Sequence, residues 1–217
     1  MPRTADHDQR RRQIASAVRA LIAEAGLDAA TMASVAREAG FSVGLVQHYF
    51  PSKDDLLLFT YRQVMADVGA RLAVRIDRGE TRERPISAIL FDGMLELLPL
   101  DDDRRAEYRV ARVFRGRSLD NPALAAVARA TAADLRTQFA TAVRNGKECG
   151  EVEPDADADL AATRFSALLD GLADQLYEDP GRRVGRRRLP VAGKKILHAC
   201  VGDTFTGECR QYRSTAP

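Results

Sequence analysis

The chain has 217 residues and a net charge of +2; 45% of its residues are hydrophobic, 6% are aromatic and none is Trp. That length allows one or two domains with a substantial core, and an apolar content carried by Ala, Leu and Val suits packed helices better than sheets. Near-neutrality excludes a globally basic nucleic-acid coat, so any field that attracts DNA must come from local placement. Residues 1–55 hold seven Lys/Arg and seven Asp/Glu, so the N-terminal region is neutral as well.

No apolar run approaches about 18 residues and the N-terminus lacks a signal-type apolar core, so a soluble cytoplasmic protein with no membrane partner is expected. Cys149, Cys200 and Cys209 are odd in number and form no C-x-x-C pair. The expectation is therefore a reducing compartment, no disulfide framework, no metal site and no cofactor.

In chain order, residues 1–8 are polar, carry Pro2 and read as a mobile arm. Arg10, Arg11 and Arg12 open a first helix whose stripe is Ile14, Val18, Leu21, Ile22 and Ala25, ending at Gly26. These arginines suit a phosphate backbone or simply a solvated face. The stretch from Thr31 to Phe50 then reads as two short helices around a glycine corner. Thr31 is an N-cap, and Met32, Val35, Ala36 and Ala39 share one face. Gly40 stands where a positive φ is cheap only for glycine. Ser42 caps a second helix carrying Leu45, Val46 and Tyr49 before Pro51. A small residue, a glycine four later and an apolar residue six after that is the sequence form of a helix-turn-helix, which places one helix in the DNA major groove.

Within that second helix, Gly44 permits close approach to the groove floor. Gln47 and His48 are the polar side chains suited to base edges, and Val43 or Leu45 suits a thymine methyl. Thr31 and Ser42 bring helix N-termini that favour phosphate. With the preceding amphipathic helix and the exit Tyr49-Phe50-Pro51-Ser52-Lys53, residues 9–59 resemble the N-terminal domain of TetR-family transcriptional regulators. The resemblance implies that Tyr49 and Lys53 anchor the DNA backbone. It also marks a departure, since family members often carry lysine, threonine and tyrosine where Val43, Leu45 and Gln47 stand.

Ser52 and the Asp54-Asp55 pair start a long fourth helix running to about Arg78. Helical patterns recur after Pro85, after Asp101–Asp103, from Asn121-Pro122 to Gly146, from Asp155 to about Glu178, and from Pro190 to Asp203. Arg182–Arg188 is read as a basic loop and Thr206–Pro217 as a frayed tail. The expected fold is all-α with about nine helices: a three-helix DNA-binding domain over residues 1–55 and a ligand-binding and dimerisation domain over 56–217. The C-terminal part resembles, through Asp170-Gly171-Leu172 and Asp179-Pro180-Gly181, the choline-responsive regulators of betaine synthesis.

Candidate pocket walls are Phe91, Met94, Tyr108, Phe114, Phe139, Phe165 and Leu169, since a quaternary ammonium favours an aromatic cage. Ala162, Phe165, Leu169, Leu172, Ile196 and Cys200 are the candidate dimer surface, forming a four-helix bundle across a two-fold axis. Such a dimer demands a palindromic operator in double-stranded DNA, with half-sites roughly 34–36 Å apart or somewhat more. His7, His48 and His198 fall on different elements and no H-E-x-x-H, G-x-S-x-G or P-loop is present, so no catalytic residues are assigned. The expected function is a homodimeric repressor released by a small-molecule effector. The alternative is a helical binding or scaffolding protein that no longer recognises DNA.

Overall fold

The computed structural model describes residues 3–210, with backbone only for residues 3–5. Among these, nine α-helices carry the fold: α1 (Arg3–Ala25), α2 (Met32–Ala39), α3 (Val43–Tyr49), α4 (Lys53–Thr81), α5 (Ile86–Glu96), α6 (Asp102–Ser118), α7 (Pro122–Cys149), α8 (Ala158–Glu178) and α9 (Leu189–Gly202). A single 3-10 turn, Leu27–Ala29, joins α1 to α2. The expected mobile arm is helical from Arg3. Asp6 in the first turn complements the helix dipole and pairs with Arg10 at 2.8 Å, one turn on. Residues 1 and 2 lie outside the described residues.

The helices sort into two compact units, one comprising the chain to Val68 with Asp101–Ala128, the other Gly69–Leu100 with the chain from Arg129 onward. The first unit is larger than residues 1–55 because the apolar face of α1 needs more cover than α2 and α3 provide. Helix α6 supplies it. Val110 and Phe114 join Ile14, Val18 and Ile22 in one buried cluster, and Phe114 stacks on Tyr61 at 3.9 Å between ring centroids. Arg109 donates to the Ala23 carbonyl at 2.6 Å, and Arg19 reaches the buried Glu107 carboxylate at 3.4 Å. Asp54, at the start of α4, accepts from Arg117 Nε and Nη2 at 2.9 and 3.0 Å and from Asn121 at 2.9 Å. The Arg117 hydrogen bonds hold its carboxyl below the usual carboxylate range.

The second unit is held by α5 and α8 packing on α9 and by polar contacts between distant segments. Glu96 is buried and accepts from Arg71 Nε at 2.8 Å and Arg75 Nη2 at 2.5 Å. Pro85 precedes α5 and offers no side-chain cap. The buried Glu151 carboxylate replaces it, taking the Ile86 amide at 2.7 Å, the Ser87 amide at 2.9 Å and the Ser87 hydroxyl at 2.7 Å.

Two sequence expectations change here. The basic stretch after α8 is a two-strand hairpin, β1 (Arg183–Val184) and β2 (Arg187–Arg188), whose turn places Gly185 at φ 59°. The segment after α9 is pinned as far as Arg210: Phe205 is buried, the Gly207 amide bonds the Glu151 carbonyl at 2.9 Å, and the Arg210 amide bonds the Cys149 carbonyl at 2.8 Å. Residues 211–217 of the expected frayed tail lie outside the described residues.

Candidate nucleic-acid interface

The corner at Gly40 is built from local chemistry. The Thr31 hydroxyl accepts from the Ser34 amide at 3.1 Å while the Ser34 hydroxyl accepts from the Thr31 amide at 2.9 Å, a reciprocal cap on α2. At the other end Gly40 adopts φ 72°, ψ 30°, and the Phe41 amide closes on the Ala36 carbonyl at 2.8 Å. The glycine is required there because a left-handed residue lets two successive amides return to the last turn. Ser42 starts α3 by accepting from the Leu45 amide at 3.2 Å. Ala36 and Val46 are fully buried where the helices cross, and Phe50 closes the joint from below.

With Val46 turned inward, Ser42, Val43, Gly44, Gln47 and His48 are exposed along the opposite face of α3. Leu45 and Tyr49 are half-buried at its margins. The Tyr49 ring lies 4.6 Å from His7 and 5.5 Å from His48, so two histidines far apart in sequence flank one tyrosine. Lys53 stands in the first turn of α4, where its charge acts on neighbouring Asp54. Thr31, also exposed, is engaged through its hydroxyl in the cap it makes. The arginine run divides three ways. Arg10 pairs with Asp6, Arg11 lies over Phe50 and Phe59 at 5.3 and 4.4 Å, and Arg12 is exposed without a side-chain partner among the described residues.

The second unit contains a cavity of about 1040 Å³ lined by its portions of α4, α5 and α7. Leu72, Ile76, Ile89, Met94, Leu135 and Phe139 form much of its apolar wall, and Glu80, Arg84, Glu148 and Arg210 are its charged lining. Of the seven residues expected around a ligand, Met94 and Phe139 are in this wall. Tyr108 and Phe114 belong to α6 in the other unit, where Phe114 is core. Phe165 and Leu169 are buried on α8, with Phe165 edge-on to Phe139 at 6.0 Å, and Phe91 meets His198 at 5.2 Å. Aromatic residues are natural core fillers, which is why a choice by aromaticity gathers core positions along with walls of this cavity. The missed signal was the helical spacing of Leu72 with Ile76 and of Leu135 with Phe139 and Ala142.

Five of the six expected dimer residues, Ala162, Phe165, Leu169, Leu172 and Cys200, are buried within their own protomer. Only Ile196 is exposed, at 41%. The apolar stripe of an amphipathic helix turns first to its own core. The residues of these helices left exposed are Leu160 on α8 and Val191 on α9, away from the buried stripes, and Ile196 at the edge of the α9 stripe. None of the described helices is long and apolar enough to cross a membrane.

Comparison with known proteins finds relatives along most of the chain. Residues 14–58 match the bacterial regulatory proteins of the tetR family, and residues 90–202 match the C-terminal region of BetI-type transcriptional repressors. The HTH-type transcriptional regulator PksA of Bacillus subtilis is 30% identical over 204 residues, covering 94% of this chain and 96% of that protein. A transcriptional regulator from Rhodococcus sp. superposes with a TM-score of 0.76 at 29% identity, covering 90% of this chain and 96% of the other. A regulator from Saccharomonospora viridis, solved in complex with choline, gives 0.72 at 26% identity over 93% and 99% of the two chains. The helix-turn-helix corner, the all-α architecture and these matches together make the chain a member of the TetR family of transcriptional regulators, a DNA-binding protein with a BetI-type repressor C-terminal region.

Proposed function

We propose that the protein is a cytoplasmic homodimeric repressor that reads a palindromic operator through α3 and leaves it when a small molecule fills the cavity of the second unit. The observation that carries the reading is the division of α3: Val46 fully buried, Gln47 and His48 exposed on the opposite side. Gln47 reads a base edge, with adenine as its natural bidentate partner, and Val43 contacts a thymine methyl. Lys53, Tyr49 and the amides at the starts of α2 and α3 hold phosphates. Dimerisation through the exposed faces of α8 and α9 sets the half-site spacing.

The cavity favours a particular effector chemistry. Phe139 is the only aromatic residue among the described residues that line it, so a trimethylammonium group would find there one π face instead of a cage. Its aliphatic walls and volume suit a bulky, mainly apolar molecule with a polar end at the charged side chains. The choline bound by the Saccharomonospora relative is thus a poor fit for this wall. Release requires only that the effector favour the non-binding state by a few kcal/mol.

A mobility-shift titration on the DNA upstream of the protein's own gene, at two salt concentrations, tests the DNA side. Lys53→Ala should weaken all sites alike and reduce the salt slope by roughly 1, whereas Gln47→Ala should change which sequences are preferred. Wild-type binding that neither variant alters would refute the assignment of α3 and Lys53. A thermal-shift comparison of choline with a bulky amphiphile tests the cavity: stabilisation by choline alone would overturn the effector class while leaving the DNA reading intact.

A further inference from the structure

Away from α3, and bordering the cavity at Cys149, two thiols and a carboxylate from separate segments converge. Cys149 is the last residue of α7, Glu151 lies in the turn that follows, and Cys209 sits on the segment after α9. Their donor atoms all lie within 4.8 Å of one another, and the Cys149 Sγ is 3.4 Å from Glu151 Oε1. We propose that Cys149, Glu151 and Cys209 form a binding site for a thiophilic divalent ion of the zinc class, with solvent as the fourth ligand.

The backbone brings these groups together by design of the turn. Gly150 at φ 92° reverses the chain directly after Cys149, so the Glu151 side chain returns toward the sulfur. The Gly207 and Arg210 amides then clamp the C-terminal segment against the same turn, which sets Cys209 opposite. At Gly207 a Cβ would fall 2.2 Å from the Gly150 carbonyl oxygen, so the close approach exists only because that residue is glycine.

The carboxylate is oriented in the manner of a metal ligand. Three donors from the start of α5 fix Glu151, two on Oε2 and one on Oε1, and Oε1 also accepts from the Cys149 thiol at 3.4 Å, the contact a metal would replace once that thiol gives up its proton. Cys149 and Glu151 are buried, while Cys209 is partly exposed, so solvent can reach the remaining position. Tetrahedral zinc with bonds of about 2.3 Å to sulfur and about 2.0 Å to oxygen has donor–donor edges of roughly 3.5–3.8 Å. The Cys149 Sγ–Glu151 Oε1 separation of 3.4 Å already matches such an edge, and the others, within 4.8 Å, need at most about 1 Å of closure. Sulfur donors select against magnesium and calcium, which favour all-oxygen sites. On binding, each thiol releases its proton to solvent as its Sγ takes the metal. The ion would tie the segment carrying Arg210 to α7 and, through Glu151, to the first turn of α5, all of which contribute to the cavity lining.

The test uses the reduced full-length chain and cobalt(II) as probe, followed by competition with zinc. Saturation at one ion per chain, with a thiolate-to-cobalt charge-transfer band that zinc abolishes, is expected. Cys209→Ser should weaken the site by more than the about 10–100-fold that losing an outer-shell contact costs, and Cys200→Ser should leave it unchanged. Cys149→Ser should act like Cys209→Ser; because Cys149 is buried, the half-exposed Cys209 variant, checked by circular dichroism, carries the test if the other fails to fold. A missing charge-transfer band in excess cobalt, or a band that survives Cys209→Ser, would overturn the proposal. So would reduced thiols that close to a Cys149–Cys209 disulfide in preference to taking metal.

Discussion

Two glycine corners in this chain solve different problems. The one at Gly40 is local: caps, turn and closing hydrogen bonds all lie between Thr31 and Phe50, and a Cβ on Gly40 would meet nothing within 4 Å. The one after α7 is covered by chain from elsewhere. A Cβ on Gly146 would fall 2.6 Å from Val152 and 2.8 Å from Phe205, and one on Gly150 would meet Arg210. An open corner leaves a helix face free for an outside partner, whereas a covered corner organises the interior of its own unit. The difference decides which glycine is there for conformation alone and which for space.

The comparison can be broken at several points. Phe50→Ala removes the ring closing the Gly40 corner and should cost about 3–5 kcal/mol in chemical denaturation. A cost near zero would mean the corner stands on its hydrogen bonds alone. Glu151→Ala strips the side-chain cap from α5 and leaves two amides unmatched; about 3 kcal/mol is expected by the same measurement. Gly207→Ala should cost about 1–3 kcal/mol by overpacking and expose the segment after α9 to limited proteolysis. Gly40→Ala, with space but the wrong φ, should cost about 1–2 kcal/mol without changing protease sensitivity near residue 207. Were these last two patterns exchanged, the open and covered corners would have been assigned the wrong way round.

The smallest effect concerns acid. Asp54 has a folded-state pKa below its ordinary 3.8, so the stability it contributes is present above that value and is lost as pH falls through the lower one. Melting temperature followed below pH 3.8 should fall more steeply in the wild type than in Asp54→Asn. Parallel curves would show that the Arg117 contact carries no stability.

The corner was legible in the sequence because each of its signals lies within a few residues of its target. Thr31, Gly40, Ser42 and Val46 state their roles through spacing and φ preference, with no long-range information needed. The all-α class followed from periodicity in the same way. What stayed hidden depends on contacts across long sequence separations. Nothing near Pro85 announces that Glu151 caps α5, and nothing near Cys209 points to Cys149. The buried faces of α8 and α9 were visible as stripes, yet a stripe does not say whether its partner is the same chain or another copy. Aromatic residues drew attention as ligand walls, whereas aliphatic ones line the cavity.

Arg11 carries a last consequence. Its Nε is buried without a hydrogen bond, and its guanidinium is spread over Phe50 and Phe59 beneath α3. That cation is spent on propping the reading head from inside and adds little to the outward potential, in a region already balanced at seven charges of each sign. On this balance, electrostatic steering of DNA from a distance is expected to be weak. Association with a duplex is then expected to depend more on short-range fit between the two surfaces than on long-range attraction.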